Sequence, residues 1–367
     1  MKEPLVSPHI RAIAPYEPGK PLEELERELG QAWPKEGAIK LASNENPLGP
    51  SPRAIEAATL ALRHANLYPD GGSFYLREKL AAKLKVRPGQ LVIGSGSNEL
   101  IDLCVQTFCE LDEEVLSPAT SFACYRLSAE AHRRPFREVP NGPGFAYDLD
   151  ALVAAVGPKT KLVFLANPNN PTGVYANRAA FQRFVRALPA HLVLAVDEAY
   201  FEYARAADYP DAIELLAERE RLITLRTFSK IYGLAGLRVG YAVGSEELIG
   251  HLHRVRLPFN VNSAGQAAAR AALDDLAHLQ RSQENNAGQL PLLEAALGKL
   301  GLGVTPSQGN FVLVDLGRPA RGVFDALLRR GVIVRPVASY GLPNHLRITV
   351  GTPGENQRLL ATLAEVL

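Results

Sequence analysis

Apolar positions along this chain follow two periods, and the order in which those periods succeed one another predicts the fold class. Short stretches rich in apolar residues fall at Leu91–Ile93, Glu114–Leu116, Lys161–Ala166, His191–Val196, Arg221–Arg226 and Val239–Val243, with a further candidate strand at Arg137–Val139. Stretches of this length, Lys161–Ala166 above all, suit strands buried on both faces of a parallel sheet. Between them apolar residues return at helical spacing. One such helix starts at Ser51-Pro52, with serine at the cap and proline in the first turn, and runs to about His64. Others cover Phe74–Leu84, the segment ending near Phe108, the segment opened by Ser121-Phe122-Ala123-Cys124-Tyr125, and Ala179–Leu188. Strand alternating with helix in this way predicts a large, doubly wound, mostly parallel α/β sheet, which places ligands at the carboxyl ends of its strands.

The pattern changes near Glu246. Glu246–Arg256 is helical, and after Pro258 a long alanine- and leucine-rich helix is expected over Ser263–Leu297. Val304-Thr305-Pro306, Asn310–Asp315, Ala320–Arg330, Val332–Arg335 and Leu346–Val350 then read as β-β-α-β-β, a smaller α+β domain. At the other end, Pro4, Pro8, Pro15, Pro18 and Pro21 break the chain into an arm, followed by a short amphipathic helix, Pro21–Leu29. The expected division is an N-terminal arm (1–40), a large domain (41–255) and a small C-terminal domain (256–367).

Composition narrows the picture by exclusion. A chain of 367 residues, 47% of them hydrophobic, can bury more than one core. Its formal charge of +1 gives no reason to expect nucleic acid or an anionic membrane as a partner. No run approaches the ~20 apolar residues of a membrane span, and the proline-broken start carries no signal-peptide core, so a cytoplasmic protein is expected. Cys104, Cys109 and Cys124 are odd in number and lack metal-ligand spacing, so reduced structural thiols and no metal are expected. His64, His132, His251 and His253 read as helix-surface residues, Arg133-Arg134 and Arg329-Arg330 as solvated helix ends, and Glu198 as a packing or solvent residue.

The candidate chemistry clusters where the strands end. Lys230 follows Thr227 and Ser229 across the bend after Arg221–Arg226, and Arg238 follows through a glycine-rich segment. A lysine so placed can form a Schiff base if its surroundings depress its pKa. The two hydroxyls and the guanidinium suit a phosphate. Gly94-Ser95-Gly96-Ser97-Asn98-Glu99 joins a strand to a helix start, where backbone amides and the helix dipole hold anions. It is neither a Walker loop nor the dinucleotide GxGxxG, since Glu99 stands at the third glycine position. Asp197 ends the strand His191–Val196, and Asn167-Pro168-Asn169-Asn170-Pro171-Thr172-Gly173 follows Lys161–Ala166. A carboxylate that keeps a pyridine nitrogen protonated, and a lysine that carries the aldehyde, are the two electronic requirements of pyridoxal 5'-phosphate (PLP) chemistry. Asn170 and Tyr200 could bond the ring hydroxyl, Phe122 could stack on the ring, and Ser97, Asn98, Thr227, Ser229 and Arg238 could surround the phosphate.

Through LASNENPLGP, YPDGG, NPNNPTG, DEAY, TFSKIYGLAGLRVGY and LRITVGT, the chain resembles the fold-type I PLP-dependent aminotransferases over almost its whole length, and within them the histidinol-phosphate aminotransferases of histidine biosynthesis. The resemblance implies that Lys230 carries the cofactor and shuttles the proton, while Asp197 pairs with the pyridinium. Asn170 and Tyr200 would contact the ring oxygen and Phe122 would stack. That family often carries tyrosine at the Phe122 position, so stacking survives without the hydroxyl. It further implies a homodimer with shared sites, in which Tyr68 reaches the partner subunit's cofactor phosphate. Arg347 would bind the substrate carboxylate and Arg335 would join it on an anion with two charges: the phosphate of histidinol phosphate, then the carboxylates of glutamate or 2-oxoglutarate. Tyr16 matches an arm tyrosine near the substrate's imidazole, and Asn44 and Asn310 are further substrate-side candidates. An aromatic or broad-specificity aminotransferase shares every cofactor residue, and a phosphothreonine-type PLP decarboxylase nearly the same arginine pair.

Overall fold

In the computed structural model, which describes residues 5–16, 19–30, 34 and 37–367, Leu162, Val163, Phe164 and Leu165 are all sealed from solvent. They belong to β5 (Thr160–Ala166), near the middle of a seven-stranded sheet with β2 (Leu91–Gly94), β3 (Glu114–Pro118), β4 (Phe136–Val139), β6 (Val193–Asp197), β7 (Leu222–Thr227) and β8 (Gly240–Val243). The order is β2-β8-β7-β6-β5-β3-β4. The pairs from β4 through to β7 are parallel, and only β8 runs against its neighbours.

Side-chain alternation explains why both faces are apolar. Leu162 and Phe164 join one core with Val193, Ala195 and Leu225, beneath the helices Gly96–Phe108 and Glu246–Val255. Val163 and Leu165 join another with Leu194, Val196 and the helix Arg178–Ala187. The polar ends of β5, β6 and β7 stand level: Ala166 pairs with Asp197, and Asp197 with Leu225.

A second, antiparallel sheet has the order β12-β13-β10-β9, from β9 (Gly303–Thr305), β10 (Phe311–Asp315), β12 (Arg335–Val337) and β13 (Leu342–Thr349). The helices Ala320–Arg329 and Pro353–Val366 bury Val323, Leu327, Leu359 and Leu363 against it. The strand expected over Val332–Arg335 divides in two. β11 (Val332–Ile333) pairs in parallel with β1 (Ile39–Lys40), and β12 turns to pair with β13, so one segment serves two partners.

The long helix expected over Ser263–Leu297 is also two helices, Ser263–Ala272 and Leu276–Lys299. Asp275 causes the break: its carboxylate accepts from His278 N at 3.1 Å and so starts a new helix. Ala264, Ala268, Ala269 and Ala272 of the first helix pack in the core that contains Leu91, Ile93 and Val243. In the arm a short helix, Pro8–Ala12, precedes Leu22–Leu29. Pro4 and Pro18 lie outside the described residues. Among the described residues no helix is long and apolar enough to cross a membrane.

Candidate active site

Beyond the carboxyl ends of β5, β6 and β7 lies a cavity of about 180 Å³, lined among others by Ser97, Asn98, Phe122, Asn170, Asp197, Tyr200, Thr227, Ser229, Lys230, Arg238, Arg335 and Arg347. Lys230 sits on the bend three residues past β7, and its Nζ donates to Ser43 O at 3.0 Å. Part of its side chain faces the cavity, but the amine itself is enclosed. Burial pushes it down to about 7, with Arg347 and Arg238 pushing the same way against Glu45 and Asp197. The amine is therefore substantially neutral near pH 7 and available as a nucleophile or base.

Asp197 ends β6 and is 5% exposed. Its Oδ2 accepts from Tyr125 Oη at 2.8 Å and its Oδ1 from Ala199 N at 3.1 Å. Burial raises its pKa, and the bonds from Tyr125 and Ala199 oppose the rise. A buried carboxylate held by neutral donors leaves room for a cationic partner such as a pyridinium.

The anion cradle lies at the start of the helix Gly96–Phe108, whose first amides have no partner within the helix. Close approach explains the glycine there. Gly96 has φ 76°, and a Cβ would stand 2.3 Å from Arg238 Nη2. Arg238 is itself left-handed at φ 55° and donates to Ser229 Oγ at 3.3 Å and Ala235 O at 3.0 Å. Thr227 Oγ1 accepts from Ser229 N at 3.1 Å, which turns both hydroxyl residues toward the same space. The donor set (helix amides, two hydroxyls, one guanidinium) fits a phosphate, and the distance from cradle to Lys230 and Asp197 is bridged by a single cavity. These residues fit PLP.

The remaining wall comes from the second sheet and the arm. Arg335 and Arg347 are opposed in the β12–β13 register and so share one face. Both are buried, at 8% and 7% exposed. Arg347 donates to Asn170 Oδ1 at 2.5 Å and Ala42 O at 2.6 Å, and its Nε has no partner. The Tyr16 ring lies 5.7 Å from the Arg335 guanidinium. Tyr200 Oη accepts from Asn44 Nδ2 at 2.9 Å, and Asn170 is engaged by Arg347.

Three of the expected residues stand off the cavity wall. Asn44 and Asn310 are buried behind it, with Asn310 Nδ2 donating to Asn44 O at 3.1 Å and Glu45 O at 3.2 Å. They hold the Ala42–Glu45 strap and Tyr200 in place. Tyr68 is 82% exposed and stacks on Phe259 at 4.7 Å, away from this chain's cavity.

Sequence reasoning missed Tyr125, the hydroxyl partner of Asp197. It is the second residue of the helix Cys124–Ala131, and its ring meets that of Phe122, which precedes the helix, edge-on at 5.9 Å. Glu198 is not a solvent residue: it is 1% exposed and paired with Arg226. Nor are His132 and Arg134 simply solvated, since His132 bonds Asp102 and Arg134 bonds the carbonyls of Cys109 and His132.

The sequence profile "Aminotransferase class I and II" matches residues 36–363. Over 365 residues the chain is 50% identical to the histidinol-phosphate aminotransferase of Anaeromyxobacter sp., covering 99% of each protein. It is 49% identical over 369 residues to histidinol-phosphate aminotransferase 2 of Methylococcus capsulatus, covering 99% of this chain and 98% of that protein. Among solved structures, the histidinol-phosphate aminotransferase of Sinorhizobium meliloti in complex with pyridoxal-5'-phosphate is similar with a TM-score of 0.89 and 31% identity, over 100% of this chain and 98% of that one.

Proposed function

The chain belongs to the class I and II aminotransferase family, and from that premise we propose that it uses PLP to move the amino group of L-histidinol phosphate to 2-oxoglutarate, giving imidazole acetol phosphate and glutamate. The observation that carries this reading is the pair Arg335 and Arg347, opposed across two strands on the wall of the cavity that holds Lys230. Guanidinium forks match phosphate and carboxylate oxygens, and two of them suit a doubly charged anion on the donor and a dicarboxylate on the acceptor. Relatives of that name at half identity over full length support the same substrate.

When bound, PLP supplies the electron sink and carries the amino group between donor and acceptor. The protein's share is orientation and proton transfer. Arg335 and Arg347 bind the anionic end of the substrate, with Tyr16 closing over it from the arm. Lys230 Nζ, neutral once its enclosed amine has lost its proton, takes the proton from the carbon that bears the donor's amino group. Asp197, steadied by Tyr125, would pair with the cofactor's ring nitrogen and favour its protonated form. Phe122 would stack on the ring, Asn170 and Tyr200 would serve the ring oxygen, and Ser97, Asn98, Thr227, Ser229 and Arg238 would hold the phosphate. Asn44 and Asn310 act from behind the wall, on the strap and on Tyr200.

The same reading makes the protein a cytoplasmic homodimer in which exposed Tyr68 completes the partner's phosphate site. It divides the chain into the arm, the larger PLP-binding part and the smaller part expected above, with one qualification. The helix Ser263–Ala272 packs with the larger core, which supports a boundary after it.

The test follows the visible band of the loaded protein after adding L-histidinol phosphate, phenylalanine or phosphothreonine separately, without a keto acid. Rapid conversion to the aminated cofactor is expected with histidinol phosphate alone. Equal conversion with phenylalanine, or release of carbon dioxide from phosphothreonine, overturns the substrate assignment. Absence of a band after incubation with PLP overturns the cofactor assignment.

A further inference from the structure

Asp197 ends β6 and Lys230 lies three residues past the adjacent β7, and the ladder between the two strands stops at Asp197. The last paired position between β6 and β7 is Asp197 with Leu225, followed by one more backbone bond, Glu198 N to Leu225 O at 2.8 Å. Beyond it the strand ends are joined by side chains. Arg226 Nε donates to Glu198 Oε2 at 2.9 Å, and Nη2 lies 2.8 Å from the same oxygen. Nη2 also donates to Asp211 Oδ1 at 2.6 Å, and the guanidinium stands 3.5 Å from the Phe201 ring centroid. Glu198 Oε1 accepts from Ala212 N at 3.0 Å. One guanidinium therefore ties the end of β7 to three points of the segment that follows Asp197.

Because side chains alternate along a strand, this cluster lies on the face of the sheet opposite Asp197 and Thr227. Arg226 and Glu198 are 3% and 1% exposed, and burial pushes the Glu198 carboxyl up to about 7 despite the neighbouring guanidinium. Desolvation of this kind offsets much of the attraction in a buried ion pair, so net stability is a weak account of why the pair exists. Fixing the spacing of two strand ends is a stronger one.

Resting on the function proposed above, we propose that Arg226 is a positioning residue: with Glu198 it sets the separation of Asp197 and Lys230, the two groups that flank the cofactor ring. It touches neither substrate nor cofactor, and it acts through the residues beside its own pair, Asp197 next to Glu198 and Thr227 next to Arg226. Small misplacements of reacting groups lower the rate while leaving distant binding contacts intact.

The experiment compares the unaltered protein with two variants, each loaded with PLP. Glu198→Gln combined with Arg226→Met removes both charges at similar volume, and Arg226→Lys keeps the charge without the fork. Both are expected to fold and bind PLP. In the double variant kcat should fall roughly ten- to a hundredfold, KM for histidinol phosphate should stay within about twofold, and the pH midpoint of the visible band should move. Arg226→Lys should show the same pattern at smaller size. If a folded variant, the lysine one where the double one does not fold, keeps the parent's kcat and band midpoint, the cluster is only structural and the proposal is overturned. A missing band in the unaltered protein instead overturns the PLP reading, and the brace with it.

Discussion

Two buried arginines, Arg226 on β7 of the seven-stranded sheet and Arg347 on β13 of the second sheet, are held in opposite ways. Arg226 is met by two carboxylates and an aromatic face, so its charge is balanced within the fold. Arg347, almost as buried, is met by an amide oxygen and a backbone carbonyl, with a second arginine across the strand pair. Dipoles orient a guanidinium without cancelling its charge. A buried cation left in that state is costly unless an anion joins it. The contrast separates a closed arginine, whose charge is balanced within the fold, from an open one, whose charge is left for the substrate anion proposed above.

Breaking the open member should cost the most activity and little stability. Arg347→Met removes a desolvated guanidinium from the bound anion, a loss of roughly 2–5 kcal/mol, or about thirty- to several-thousandfold in kcat/KM for histidinol phosphate. Its melting temperature should stay near the parent's, since no carboxylate loses its partner. Steady-state kinetics beside a thermal melt would show this, and parent-like kcat/KM would remove Arg347 from the substrate site. Breaking the closed member should do the reverse. Arg226→Met leaves Glu198 buried without its counter-ion and should lower folding stability by about 3–5 kcal/mol, read from denaturant unfolding of the cofactor-free protein. A loss below about 1 kcal/mol would mean that the pair is not balanced as the contacts imply.

The legibility of the two arginines differed for the same physical reason that their roles do. Lys230, Asp197, Thr227, Ser229 and Arg238 could be read directly because they follow apolar strands, where a doubly wound sheet must place its ligands. Arg335 and Arg347 were legible as residues through family resemblance, but their shared face depends on the β12–β13 register, which the strand pattern did not specify. The Arg226–Glu198 pair was invisible for the same reason: alternation says which face a side chain takes, and only the β6–β7 pairing says what it meets there. The split at Asp275 was hidden because the alanine- and leucine-rich period continues on both sides of the cap. Tyr125 was hidden because its hydroxyl meets Asp197 across 72 residues of chain, a contact that no local spacing specifies.

A moderate effect should come from the charge that Arg347 helps to keep off Lys230. Capture of PLP by the cofactor-free protein needs the neutral amine, so with the amine near 7 the capture rate should rise about tenfold between pH 6 and pH 8 and then level off. Stopped-flow absorbance measures it, and a rate still climbing steeply at pH 9 would place the amine near its ordinary value. Stability should follow the same group. The folded value lies below the ordinary 10.5, so between about 7 and 10.5 the unfolded chain holds a proton that the folded protein lacks. The contribution of Lys230 to stability therefore grows as pH rises through that window and is least favourable below 7. Lys230→Met should flatten that part of the curve.

The smallest effect concerns the strap that orients Arg347. Ala42 O is one of its two acceptors, and two residues on Asn44 is fixed by Thr349 Oγ1 at 2.9 Å and by Asn310. Asn44 has φ 54°, a left-handed conformation that asparagine and glycine adopt more readily than alanine. Asn44→Gly keeps that backbone and removes the side-chain bonds to Tyr200 and, at 3.3 Å, to Thr349 Oγ1, each worth about 1 kcal/mol. Asn44→Ala removes the same bonds and adds left-handed strain of about 1 kcal/mol more. The alanine variant should therefore be less stable than the glycine variant by about that amount, although glycine loosens the unfolded chain. If the strap holds Arg347 through Ala42, KM for histidinol phosphate should also rise a few-fold more in the alanine variant. Equal KM values with unequal melting temperatures would show that Arg347 is oriented by Asn170 and its own strand, and that the strap serves the fold alone.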